Sequence, residues 1–112
     1  MSWSIPNAEE AIVDERKVRS YLLSPVHAVG RHKARFFTAL GYDQADWVRL
    51  QSDLKEHAGS GARAATETEF GEKFEICSEL TGPNGRSADV VTIWLVPNGE
   101  EVARLITAYP ED

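Results

Sequence analysis

The hydrophobic period of this 112-residue chain changes once, near Thr66, and that change constrains its fold more than any other feature. Before it, apolar side chains recur at helical spacing: Val18, Tyr21 and Leu22, then Phe36, Phe37 and Leu40, then Trp47, Leu50 and Leu54. After it the spacing is two, with Phe70, Phe74, Ile76 and Leu80 on one side and Lys73, Glu75 and Glu79 on the other. A helical half followed by a strand half predicts an α+β domain, with about three N-terminal helices packed on one face of an antiparallel meander of three to four strands.

The local signals set the boundaries. Asp14 caps a helix over about residues 15–23, which Pro25 ends. A second helix covers about 31–40 and stops at Gly41, and a third covers about 44–58 from a cap at Asp43. The small, polar run 59–65 reads as a flexible link. Gly82-Pro83-Asn84-Gly85-Arg86 and Pro97-Asn98-Gly99-Glu100 are turns, so the strands lie at about 66–80, 88–96 and 102–109. The middle one, with Val90, Val91, Ile93, Trp94 and Leu95, is apolar on both faces and therefore central. The whole is one domain, residues 1–112, with an arm at 1–13, a helical half at 14–58 and the meander at 66–110.

The single Cys77 excludes an intramolecular disulfide framework and fits a reducing compartment. The first residues carry neither a basic segment nor an apolar run, and no segment approaches transmembrane length, so the expectation is a cytoplasmic protein with no membrane contact. A net charge of −6 weighs against a general nucleic-acid binder. Its distribution is uneven, however. Residues 16–35 hold six cations (Arg16, Lys17, Arg19, Arg31, Lys33, Arg35) and no acid, whereas from Asp43 onward 14 acids face six cations. Such a chain can bind a polyanion in one place and repel it elsewhere.

Within that basic stretch, His27 follows a Ser-Pro turn and precedes a helix opening with Arg31, His32 and Lys33, against the helix macrodipole. A first turn with unpaired N–H groups and cationic side chains suits an anion such as phosphate, and is equally a plain basic surface. Lys33 shares a face with Phe36 and Phe37, so it is a site cation or a side chain snorkelling over them. Thr107 and Tyr109, two apart in the last strand, project from one face with Ala103 and Leu105, and each is also simply a good strand residue. Arg31, His32 and Arg35 form a basic rim, and Arg86 sits in a hairpin turn. His27 and His32 are off the spacing for two metal ligands on one helical face, and neither His57 nor Cys77 has a partner near in sequence, so no metal or other cofactor is expected. No P-loop, dinucleotide fingerprint or nucleophile elbow occurs.

The run Tyr21-Leu22-Leu23-Ser24-Pro25-Val26-His27, then Gly30-Arg31-His32-Lys33-Ala34-Arg35-Phe36-Phe37, with the Leu80-Thr81-Gly82-Pro83-Asn84-Gly85 hairpin and the Thr- and Tyr-bearing final strand, resembles a bacterial family of uncharacterised domains. Ser24 and Ala28 stand where that family usually has asparagine and proline. The family is similar in turn to metal-independent RNase toxins of the barnase, EndoU, colicin and RelE-like (BECR) fold. That resemblance implies an endoribonuclease with catalytic His27, Lys33, Thr107 and Tyr109, and with Arg31, His32, Arg35 and Arg86 binding RNA, tRNA included. It also implies a cognate antitoxin or immunity protein. His27 would deprotonate the 2′-hydroxyl or protonate the leaving oxygen. The competing reading is a non-catalytic immunity, antitoxin or adaptor module that docks through residues 16–35.

Overall fold

The computed structural model describes residues 3–28 and 30–111. Met1 and Ser2 of the expected arm, Val29 of the turn before the second helix, and Asp112 lie outside the described residues. Three helices precede a four-stranded antiparallel sheet, an α+β fold. Helix α1 (Glu15–Lys17) is a single turn whose cap, Asp14, accepts the Arg16 N–H, and it runs directly into a π-helical segment, Val18–Leu22. Helices α2 (Gly30–Ala39) and α3 (Trp47–His57) follow. Gly41 ends the α2 region with a left-handed φ of 99°, and Asp43 Oδ1 accepts the Ala45 N–H at the short 3-10 turn that leads into α3.

Strands β1 (Ala64–Thr68), β2 (Gly71–Thr81), β3 (Ser87–Pro97) and β4 (Arg104–Pro110) pair in sequence order. The two-sided apolar strand is central, between β2 and β4. One sheet face meets the helices: Phe74, Ile76, Leu80, Val90, Trp94, Leu105 and Ala108 pack with Val18, Leu22, Phe37, Leu40, Leu50 and Leu54.

Several details depart from the sequence reading. The link at 59–65 is shorter than expected, because Ala64 and Ala65 already pair with Glu75 and Phe74. Phe70 is 68% exposed at the β1–β2 turn, not in the core, since Thr68 and Gly71 close that hairpin around it. Trp47 and Phe36 are half-buried, and the third inward position of α3 is His57. The arm holds a 3-10 turn, Ala8–Glu10, and is tied down by isolated bridges from Trp3 to Ala62 and from Ile12 to Arg104.

The departure with most consequence lies in β4. Trp94 pairs with Leu105 but Ile93 pairs with Thr107, so Ile106 is an extra residue, a bulge. Side chains alternate along a strand, so one inserted residue reverses the faces beyond it. Thr107 and Tyr109 therefore leave the face of Leu105 and join Val91 and Ile93 on the opposite side, while Ala108 turns into the core.

Candidate functional site

On that second face, at the β4 edge, the helical half and the sheet meet around Tyr21. The π-helical segment half-buries Tyr21, and its Oη lies 3.5 Å from Thr107 Oγ1. The His27 ring packs edge-on against the Tyr21 ring, with centroids 5.1 Å apart. Lys33 Nζ sits 5.6 Å from the centre of the Tyr21 ring and 5.8 Å from that of Tyr109, and Lys17 Nζ is 5.1 Å from Tyr21. Side chains from α1, the Ser-Pro turn, α2 and β4 thus touch one phenol.

Local chemistry explains how each arrives there. The Ser24 hydroxyl, buried at the turn, accepts the N–H groups of Val26 and His27 and so closes the turn. The His27 carbonyl accepts the Arg31 N–H at 3.0 Å, and His27 Nδ1 accepts the Gly30 N–H at 3.0 Å. Two donors of the helix start are therefore taken up by His27 itself. With Nδ1 acting as acceptor, the neutral imidazole carries its proton on Nε2. Gly30 is where α2 crosses the π segment: a Cβ there would lie 2.0 Å from the Tyr21 carbonyl oxygen. Only glycine permits that approach, and it brings Lys33, one turn later, over the phenol ring.

The two phenols have opposite electrostatics. Burial raises the Tyr21 value, but the Thr107 hydrogen bond, Lys33 and Lys17 together outweigh it and hold the phenol below its ordinary range. Tyr109 is pushed up, first by burial and then by Glu75 and Glu111, with Arg63 opposing. Those carboxylates belong to a neighbouring network in which Arg63 binds Glu75 at 2.7 Å and Glu111 at 2.5 Å. Cys77 donates to Glu111 at 2.8 Å, and this hydrogen bond with burial pushes the thiol up to about 11, which makes it a poor nucleophile.

Of the residues nominated from sequence, His27, Lys33 and Thr107 contact Tyr21, and Tyr109 is reached through Lys33. Arg31 and Arg35 lie on another side of α2, along a groove of about 790 Å³ with Leu23, Pro25 and Tyr42. His32 is exposed in the first turn of α2. Arg86 stands apart: its turn docks at the C-terminal end of α2, where Asn84 donates to the Ala39 and Leu40 carbonyls. Tyr21 was legible in sequence only as part of an apolar stripe. A second, open groove of about 480 Å³ beside the cluster is lined by Asp14, Arg16, Lys17, Tyr21 and His27. Among the described residues, no group of three or more His, Cys, Asp and Glu side chains is placed to hold a metal ion. No helix among them is long and apolar enough to cross a membrane.

Among solved structures, the fold is similar to a chain of a contact-dependent growth inhibition toxin–immunity protein complex from Klebsiella pneumoniae 342. The match has a TM-score of 0.72 at 17% identity and covers 94% of this chain and 97% of that one, a likeness of fold. No curated protein matches the sequence. Residues 4–112, which include every side chain around Tyr21, match the family described as Domain of unknown function (DUF6883), and the chain belongs to that family.

Proposed function

We propose that this domain is a metal-independent endoribonuclease of the BECR toxin type, acting in the cytoplasm. It cuts RNA, tRNA included, by attack of a 2′-hydroxyl on the adjacent phosphate, leaving a 2′,3′-cyclic phosphate. The observation that carries the reading is that His27, Lys33 and Thr107, from a turn, a helix and a strand, meet at one half-buried phenol beside an open groove, with Tyr109 on the other ring that Lys33 approaches. These groups supply hydrogen bonds, positive charge and proton transfer together. Lys33 stabilises charge on the phosphoryl oxygens, usually the largest contribution to such a reaction. His27 presents its Nε2–H to the phosphate, and Thr107 and the protonated Tyr109 orient it. Arg31, His32 and Arg35 extend the cationic surface along α2 for flanking nucleotides.

The test is induced expression of the wild type and of His27→Ala in a bacterial host, with total RNA run on a denaturing gel. Growth arrest and discrete RNA fragments are expected from the wild type. His27→Ala should lose at least about 100-fold of the cleavage rate while keeping its melting temperature within a few degrees. A second reading draws on one observation: the similar solved structure is a complex of a toxin with its immunity protein. In that reading residues 16–35 dock an acidic partner without catalysis. Harmless expression of both proteins with intact RNA would select it and discard the ribonuclease.

A further inference from the structure

Tyr21 contacts His27, Lys33 and Thr107 of the proposed site, and it has no role in the reaction as drawn above. Its neighbours define what it can do. The Lys17 and Lys33 ammonium groups lie 5.1 and 5.6 Å from the ring centre, and Oη lies 3.5 Å from the Thr107 hydroxyl. His27 closes one edge of the ring and lines the adjoining groove with Asp14, Arg16 and Lys17. Two cations this near favour the phenolate over the phenol. His27, in contrast, has its Nδ1 lone pair engaged by the Gly30 N–H and its neutral-ring proton on Nε2. That arrangement makes the imidazole a donor, unsuited to take a proton from substrate.

We infer that Tyr21 is the catalytic residue that removes the 2′-hydroxyl proton, an inference that rests on the ribonuclease reading. The Tyr21 phenolate takes the proton from O2′, O2′ bonds to phosphorus as the phosphorus–O5′ bond breaks, and O5′ takes its proton from the Tyr109 phenol. Negative charge so moves from one tyrosine to the other. Lys33 Nζ is within reach of both rings, 5.6 and 5.8 Å from their centres, and stabilises the phenolate at either place. Proton exchange between the two phenols, through Lys33 or water, restores the starting state.

The chain contains three tyrosines, which makes the test specific. Burial and the Asp53 hydrogen bond push Tyr42 far up, and Tyr109 is also raised, so Tyr21 alone is shifted downward and ionises first. The pH titration of tyrosinate absorbance in the full chain should show one tyrosine ionising below pH 10, and Tyr21→Phe should abolish that step. In parallel, single-turnover cleavage of bulk bacterial tRNA should rise with pH in the wild type and level off where that tyrosine ionises. Tyr21→Phe, which keeps the ring packing, should lower the rate by about 100-fold or more and lose this rise. Cleavage by Tyr21→Phe at the wild-type rate with an unchanged pH profile would overturn Tyr21 as the base and leave the ribonuclease intact. If that variant does not fold, the wild type still decides, because a kinetic plateau that fails to coincide with the first tyrosine ionisation overturns the assignment. A wild type that cleaves no RNA overturns both readings.

Discussion

His57 shows how far a single residue can depart from what its neighbours in sequence suggest. It is 4% exposed on the inner face of α3, with Nδ1 2.8 Å from Thr92 Oγ1 and Nε2 3.2 Å from the Ser78 carbonyl. Trp94 Nε1–H donates to the same Thr92 oxygen at 2.7 Å, so the Thr92 proton points to His57 Nδ1 and the ring donates through Nε2 to Ser78. Burial pushes the imidazole below its ordinary value, more strongly than the Ser78 and Val90 carbonyls raise it. The unfolded chain then takes up a proton near pH ~6.5 that the folded chain refuses, so stability falls as pH drops below that value and is unaffected above it. Urea denaturation from pH 8 to 5 should show a constant midpoint down to about pH 6.5 and then a decline, with a limiting slope of roughly 1.4 kcal/mol per pH unit. His57→Gln should flatten the decline. A midpoint that is level to pH 5 in the wild type would refute the neutral, buried ring. His57 and Tyr21 illustrate the same limit on reading a sequence. Each occupies an apolar stripe, and what distinguishes it from core is a hydroxyl 35 residues away in one case and 86 in the other.

At the scale of elements, period and turn chemistry carried most of the fold. Gly41 takes the left-handed conformation expected of a helix stop, Asp14 and Asp43 accept the N–H groups expected of caps, and the two-sided apolar strand is central. What alternation could not reveal is the extra residue at Ile106, because Ile106 is as suited to a strand as its neighbours and no glycine or proline announces the bulge. The sequence reading thus selected Thr107 and Tyr109 but put them on the wrong face. The α2 crossing is the second such feature, and it yields a prediction whose sign separates two effects. Helix propensity alone would have Gly30→Ala stabilise the protein by about 1 kcal/mol or less. The Cβ, 2.0 Å from the Tyr21 carbonyl oxygen, must instead force α2 off the π segment. Backbone, unlike a flexible side-chain end, yields little, so overpacking should win, at a cost of about 1–3 kcal/mol. Thermal melts of Gly30→Ala should therefore shift downward, and the Lys33 contact with Tyr21 should loosen with them. A higher melting temperature would mean that α2 does not press on Tyr21 in solution.

For the molecule as a whole, the proposed ribonuclease has to hold a polyanion on a protein of net charge −6. The sequence showed that cations cluster, but not which of them remain available. Arg19 is bound to Glu15 at 2.8 Å, Arg49 to Asp53 at 3.2 Å, and Arg63 to both Glu75 and Glu111. Among the described residues, Lys17, Lys33, Arg31 and Arg35 form no ion pair; Lys17 and Lys33 lie at Tyr21, and Arg31 and Arg35 line the groove on another side of α2. An unpaired cation releases a counterion from RNA when it meets a phosphate, whereas a cation already neutralised by two carboxylates gains little. Each phosphate so neutralised adds about 0.7 to the slope of log affinity against log salt for a single strand. Binding of a 2′-deoxy, uncleavable oligonucleotide should accordingly weaken with salt. The double variant Lys17→Gln/Arg31→Gln should reduce the slope by about 1.4 at most, and Arg63→Gln should leave it unchanged. Equal effects from the two variants would place the nucleic acid on the open sheet face beside Glu75 and Glu111. The expected asymmetry would confine it to the helical side, where the acidic remainder of the surface repels the rest of the strand and orients it across Tyr21.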